Sequence, residues 1–459
     1  MITKKQETVS KETVLAIVAI ALLGFSGILS ETSMNVTFPT LMKVFNLDLN
    51  TLQWITTGYL LTVAIMMTTS AALKKNFSER QIFFTSSLLF TLGTITAVLS
   101  NSFIIMIVGR VLQGIGTGII MPQMFNIILE RVPYNKIGTY MGIAGLIMSL
   151  APAFGPTYGG FMIAHFSWHW IFICILPVPI IASVIAFFFL KNSPKSQKIT
   201  FDFLAFFFLA ISLSSLLLAI TSLENGTGSL LYLIIFAISF LLFLVKNLRS
   251  PQPFLDIRVL KVPSLIFGLL PFFVFQFANL GSNFIIPNYL VLEKIATSSV
   301  AGMVLLPGTL IGSFTAPLLG RLFDEKGAKL SLYLGNSLFA AALLLFTIFT
   351  KNIGVLTIPF IYIIFTIGRN MAFNNTMAVA IKELPKEKTA DATAIFQMSQ
   401  QFAGALGTAI ASILANSTKE LVTGVHYVFL LQLFLVLLNF VMYKKMFKFL
   451  DRSALQSNN

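Results

Sequence analysis

Charge is scarce in this sequence. Asp, Glu, Lys and Arg make up 10% of 459 residues, hydrophobic residues make up 56%, and the mean hydropathy is +0.87. A soluble globular protein carries about 25% charged residues, so a water-solvated fold is excluded and lipid must solvate most of the chain. Cysteine is nearly absent: Cys174 is the single one, which rules out an intramolecular disulfide and a cysteine zinc site. In its apolar run it reads as a small buried apolar side chain. The three histidines, His165, His169 and His426, sit near helix ends with no acid or cysteine beside them, so no metal site is expected. No Gly-rich loop followed by Lys-Ser/Thr is present, leaving ATP hydrolysis without a site. No nucleophile–base arrangement is identifiable either, so an enzyme is not expected. Energy must come from an ion gradient, a partner ATPase or downhill flow.

What is abundant is apolar length. Fourteen apolar segments run roughly over 14–38, 52–73, 82–100, 103–129, 138–164, 168–190, 201–222, 229–245, 264–290, 299–319, 330–350, 353–380, 395–415 and 426–443. Most match the roughly 17–25 residues that cross a bilayer as helix, and runs this continuous are helices rather than barrel strands. The fold class is therefore an all-α polytopic membrane protein. The net charge of +14 does not imply a nucleic-acid partner, because the basic residues fall almost entirely in one alternate set of loops. Only Lys43, Lys294, Lys351 and Lys419 lie in the opposite set, with Arg110 and Arg369 inside segments. That bias places both termini in the cytoplasm and requires an even number of spans. The polar start, MITKKQETVSKE, precedes a retained first helix rather than a cleaved signal peptide. Trp54, Trp168 and Trp170 fall near outward segment ends, where interfacial anchoring is expected.

Glu31 is the one carboxylate well inside an apolar segment, with Asn35 a turn later and Pro39 near the exit. Arg110 lies in the fourth segment, followed by Gln113 and Gly114. Each stands about seven residues from the outward end of its segment, so both sit roughly 10 Å below the same surface. A charge in a lipid-length helix reads as functional unless paired or hydrated. Removal from water disfavours a carboxylate and a nearby guanidinium favours it, so relative motion of Arg110 and Glu31 switches proton affinity. Two other readings of Glu31 stand beside this one: a static ion pair, and a counter-ion for a cationic substrate. In the ninth segment Gln276, Asn279, Asn283 and Pro287 share one helix face, which lines a cavity or bonds another helix. Gln397, Gln400, Gln401, Gly404 and Gly407 form a related stripe in the thirteenth, and Asn370 and Asn374 share a face in the twelfth. In the fifth, Pro152, Gly155, Pro156, Gly159 and Gly160 combine helix irregularity with room for close approach.

Internal repetition organises the chain. Basic turns follow the second and tenth segments, and a Gly109-Arg110 pair in the fourth has a Gly368-Arg369 counterpart in the twelfth. The expected organisation is a cytoplasmic tail over 1–13 and a six-helix bundle over 14–190. An inserted helix pair with its loops follows over 191–263, then a second six-helix bundle over 264–443 and a cytoplasmic tail over 444–459.

On these residues the sequence resembles the major facilitator superfamily, and more narrowly its fourteen-span drug:proton antiporters. The family's helix-four R-x-x-Q-G is matched by Arg110, Gln113 and Gly114, and its helix-five G-P-x-x-G-G by Gly155, Pro156, Gly159 and Gly160. An acid followed by N-V-x-x-P corresponds to Glu31, Asn35, Val36 and Pro39, and Trp168-His169-Trp170-Ile171-Phe172 resembles W-R-W-I-F. The resemblance implies a plasma- or inner-membrane exporter of lipophilic, often cationic compounds, driven by the proton gradient, without a cofactor and monomeric. It implies a cavity between two pseudo-symmetric halves in contact with lipid on the outside. Glu31, Asn35, Gln113, Gln276, Asn279, Asn283, Asn374, Gln397 and Gln400 are its expected lining. A same-fold exporter of an endogenous metabolite, peptide, siderophore or lipid is the alternative, and a non-transporting sensor or scaffold a minor one. One departure stands out: the family's gating loop appears as Ala71, Leu73, Lys75, Ser78, Glu79 and Arg80, with Lys75 in the aspartate's place. A second copy keeps Gly320, Leu322, Asp324 and Gly327.

Overall fold

The computed structural model describes residues 9–133, 137–190, 201–223, 228–251 and 253–457, with some side chains inside these ranges left undescribed. Nineteen α-helices and no strand occur among the described residues. In order they are α1 Lys11–Met34, α2 Phe38–Phe45, α3 Leu49–Leu52, α4 Trp54–Met67, α5 Ser70–Asn76, α6 Glu79–Val98 and α7 Phe103–Arg131. Next come α8 Ile137–His165, α9 His169–Ile175, α10 Pro177–Phe189, α11 Phe203–Thr221 and α12 Ser229–Arg249. The second part holds α13 Pro263–Leu292, α14 Ser298–Met303, α15 Leu306–Lys326, α16 Ala328–Phe349, α17 Thr357–Ile381, α18 Lys386–Asn416 and α19 Leu421–Ser457.

Proline explains several of the breaks. It lacks a backbone N–H and is pre-set for the first helical turn, and α2, α10, α13 and α15 each start with proline in that turn. Side-chain caps close other starts: Ser10, Ser78, Ser102 and Asp202 accept from the backbone N–H three residues on. In α8, by contrast, Pro152 and Pro156 lie within one continuous helix.

Among the described residues, ten helical stretches are long and apolar enough to cross a membrane. The four expected segments outside that set are the second, fifth, twelfth and thirteenth. The second is divided, with α4 only 14 residues long. The twelfth and thirteenth are diluted by Arg369 and its asparagines and by the glutamines of α18. Polarity inside the bundle lowers the very hydropathy that marks a span.

The packing gives two helical bundles plus extra helices. In the first, α7 packs on α6 and α4, and α1 lies against α7, α8 and α10. In the second, α17 packs on α16, α15 and α13, while α13 also lies against α18 and α19. The inserted α11 and α12 pack on one another, with α11 reaching α4 and α18. The start of α1 and the end of α19 share one face, the terminal face. Glu79 at the start of α6 pairs with Arg131 at the end of α7, and α8, which follows, runs parallel to α1. In the other bundle, Lys329 at the start of α16 bonds Asp451 near the end of α19 at 2.8 Å.

Two single-residue expectations are corrected. Cys174 is exposed on α9 rather than buried. Trp168 is buried, 5.9 Å from the Phe45 ring, and only Trp170 of that pair lies open, at 43% exposure. A seven-residue helix presents successive side chains in different directions, so residues two apart part company.

Candidate functional site

Hydrogen bonds that cross between the bundles gather at the far face, opposite the terminal face. Asn288 on α13 donates to the Asn35 carbonyl at 2.7 Å, and the Phe38 and Phe284 rings meet at 5.2 Å. Thr57 and Thr408 hydroxyls lie 2.8 Å apart, and Ser412 donates to Asn50 at 2.7 Å. Thr157 on α8 donates to the Gly302 carbonyl at 3.3 Å. Further toward the terminal face the polar link is a longer one, Gln401 to the Met121 sulfur at 4.0 Å. The far face is sealed, and Glu31 lies just beneath the seal.

Glu31 is the one Asp or Glu among the buried described residues, at 6% exposure. Its neighbour Ser30 points to Arg110 on α7, which is fully buried. Arg110 Nε donates to the Ile55 carbonyl at 2.9 Å, and Nη1 donates to Ser30 Oγ and Gln113 Oε1, both at 2.8 Å. Gln113 is oriented in turn by Thr94, which accepts from it at 2.8 Å. The guanidinium carbon lies 4.1 Å from the Tyr59 ring centroid, a contact worth about 2 kcal/mol when desolvated. Tyr59 donates to Thr117 at 3.0 Å, and Thr117 donates to the Gln113 carbonyl at 2.9 Å. Nη2 has no hydrogen-bond partner. No ion pair joins Arg110 to Glu31 among the described residues, though the residue next to Glu31, Ser30, accepts from Arg110 directly. The arrangement is a held guanidinium with one bare nitrogen near a lone buried acid.

The α8 motif supports this site. A Cβ on Gly155 would fall on Thr32 Oγ1, and one on Gly159 on the Ser33 carbonyl. Thr32 and Ser33 follow Glu31 directly, so close approach of α8 fixes the part of α1 that carries the acid. Gly160 faces the other way, where an added Cβ would stand 2.5 Å from the Ser298 carbonyl of α14. One helix thereby touches both bundles.

The second bundle supplies a polar column. Gln276 accepts from Arg369 Nη2 at 2.8 Å, Asn283 accepts from the Tyr362 hydroxyl, and Asn279 between them is partly exposed. Gln397 and Gln400 on α18 are partly exposed as well. Asn374 is not brought between the bundles: it is exposed on the stripe of α17 that carries Phe360, at 71% exposure, fourteen residues before it on the same side. Asn35 contributes its carbonyl to the seal. In the gating loops, Arg80 lies 4.6 Å over the Phe187 ring, within the first bundle. Gly327, at φ +86°, separates α15 from α16, and an added Cβ on Gly320 would meet nothing within 4 Å. The side chains of Lys75 and Asp324 lie outside the described set. Ser30, Tyr59, Thr94 and Thr117 were absent from the sequence-based list; Tyr59, a phenol amid an apolar run, carried the one available signal. No cluster of three or more His, Cys, Asp or Glu residues that would hold a metal occurs among the described residues.

Comparison with known proteins agrees with this geometry. The chain is 32% identical over 410 residues to the lincomycin resistance protein LmrB of Bacillus subtilis, covering 88% of this chain and 86% of that protein. It is 34% identical to LmrB of Listeria innocua, at 88% and 87% coverage, and 26% identical to the riboflavin transporter RibZ of Clostridioides difficile, at 88% of each. Among solved structures, a POT family transporter in complex with 5-aminolevulinic acid superposes with a TM-score of 0.70 at 15% identity, over 94% of this chain and 96% of that one. The fold is thus that of a multi-pass secondary transporter of small molecules rather than of an enzyme. The family model for the Major Facilitator Superfamily matches residues 20–408, and the chain belongs to that superfamily.

Proposed function

We propose that this protein is a proton-coupled antiporter that exports lipophilic, often cationic compounds across the plasma membrane, with both termini in the cytoplasm. The observation that carries the reading is the bare Nη2 of Arg110 beside Glu31, the one buried acid of the described residues. Two N–H groups without acceptors in a dry site are expensive, and a carboxylate is the acceptor that fits them best. With the far face sealed, the two groups stand apart, and Glu31 is free to hold a proton or a cation. When the bundles rock against one another, α1 also shifts against α7 within the first bundle, Arg110 takes the carboxylate, and the proton or cation leaves. Substrate and proton thereby compete for one charge, which is what exchange requires. Fourteen spans and the 14–190 and 264–443 bundle boundaries belong to the same proposal. The LmrB relatives support drugs as cargo; an endogenous metabolite is the second reading, favoured by the uncompensated Arg369 described below.

The test is a panel assay in everted vesicles with an acidified lumen, adding lipophilic cations and neutral compounds and recording proton release. The native protein should release protons on addition of transported cations, and Glu31→Gln should not. Equal release by both would remove Glu31 from the mechanism.

A further inference from the structure

Arg369 is the second guanidinium inside a membrane helix, and unlike Arg110 it keeps part of its surface open. It points away from the outward stripe of α17, since residues two apart lie about 200° apart around a helix and Ile367 belongs to that stripe with Phe360, Asn374 and Ala378. The space beside it is therefore interior. Of its five N–H groups, one on Nη2 goes to Gln276 at 2.8 Å and one on Nη1 reaches Asn370 at 3.4 Å, while Nε has no partner. The group lies 4.4 Å from the Phe373 ring centroid, and Phe373 stacks on Phe272 at 4.1 Å. Its direction is fixed by packing. Both its acceptors are neutral amides, and no acid pairs with it among the described residues. One turn toward the sealed face, Asn279 is partly exposed on the same side of α13 as Gln276.

An uncompensated guanidinium within a membrane helix is costly and marks a solute pathway, and its planar fork matches a carboxylate in two-point contact. We propose that Arg369, with Gln276 and Asn279, forms a carboxylate subsite, so that the preferred solute is amphoteric. Its cationic group faces Glu31 in the first bundle and its carboxylate faces Arg369 in the second. This rests on the reading of the inter-bundle gap as the transport cavity. A solute with both charges also bridges the halves, giving their relative position a dependence on occupancy.

The test uses the purified full-length protein and two dyes that differ at one group: rhodamine 110, with a free carboxylate, and its methyl ester, rhodamine 123. Fluorescence polarisation titrations should show the native protein binding the free acid at least tenfold more tightly. Arg369→Gln should erase that preference by weakening the acid and leave the ester within twofold, and Arg369→Lys should retain part of it. Equal affinity of the native protein for the two dyes overturns the subsite, and that comparison needs no variant to fold. A parallel loss for both dyes in monodisperse Arg369→Gln overturns it too. If the acid preference holds while a proton gradient fails to drive export, proton coupling falls and the subsite stands.

Discussion

At the scale of single residues, the site turns on how Arg110 is held. Three acceptors on three helices and the face of Tyr59 fix its plane, which a flexible ammonium with three donors cannot reproduce. Arg110→Lys should therefore lower gradient-driven export at least tenfold while leaving folded protein in the membrane; transport within twofold of native would show that charge alone suffices. Glu31 and Arg110 were legible in the sequence because a charge in a lipid-length run is rare enough to stand out. Ser30, Thr94 and Thr117 were not, because hydroxyls are common in such runs and satisfy themselves on the carbonyl one turn back, as Thr94 and Thr117 also do here. Asn374 was misplaced for a different reason. Four residues advance a helix by about 40° beyond a full turn, enough to carry a stripe from the α15 side at Asn370 to the outer surface.

At the scale of elements, close backbone approach sets which helices meet. An added Cβ on Gly109 would stand 2.8 Å from the Gly93 carbonyl, and one on Gly368 2.8 Å from the Gly335 carbonyl. The Gly-Arg pair noticed in the sequence thus marks the same contact twice, α7 on α6 and α17 on α16, with the arginine one residue past the crossing. The α8 contact is tighter. Gly155→Ala should lower thermal stability of the purified protein and cut export more than tenfold, because its Cβ would stand 2.6 Å from Thr32 Cβ. Adding Thr32→Gly, which vacates the opposing position at a cost of about 1 kcal/mol in helix propensity, should restore both in part. A double variant no better than the single one would place the fault elsewhere than at the α1–α8 contact. The breaks at 35–37 and 68–69 were not read from the sequence, because the polar stretches over 30–37 and 68–70 sit inside runs still apolar enough to pass as single segments.

At the scale of the whole molecule, the structure is, in the proposed cycle, the state closed on the face opposite the start of α1 and the end of α19. Thr57 and Thr408 mark that closure with a direct contact between α4 and α18. In a Cys174→Ser background, Thr57→Cys with Thr408→Cys should form a disulfide on oxidation and stop transport, and reduction should restore it. Full transport with the link demonstrably formed would mean that the far face does not open during the cycle. The overall architecture was legible because lipid admits so few alternatives, and the pairing of bundles through α4 with α18 and α8 with α14 was not, because a glycine such as Gly160 signals close approach without naming the helix that approaches. The central claim is that one carboxyl holds either the proton or the cation. Its most direct test is proton release from purified protein in weak buffer on addition of a bound lipophilic cation. The account predicts about one proton per cation bound by the native protein and none from Glu31→Gln; undiminished release from that variant, with the cation still bound, would contradict it.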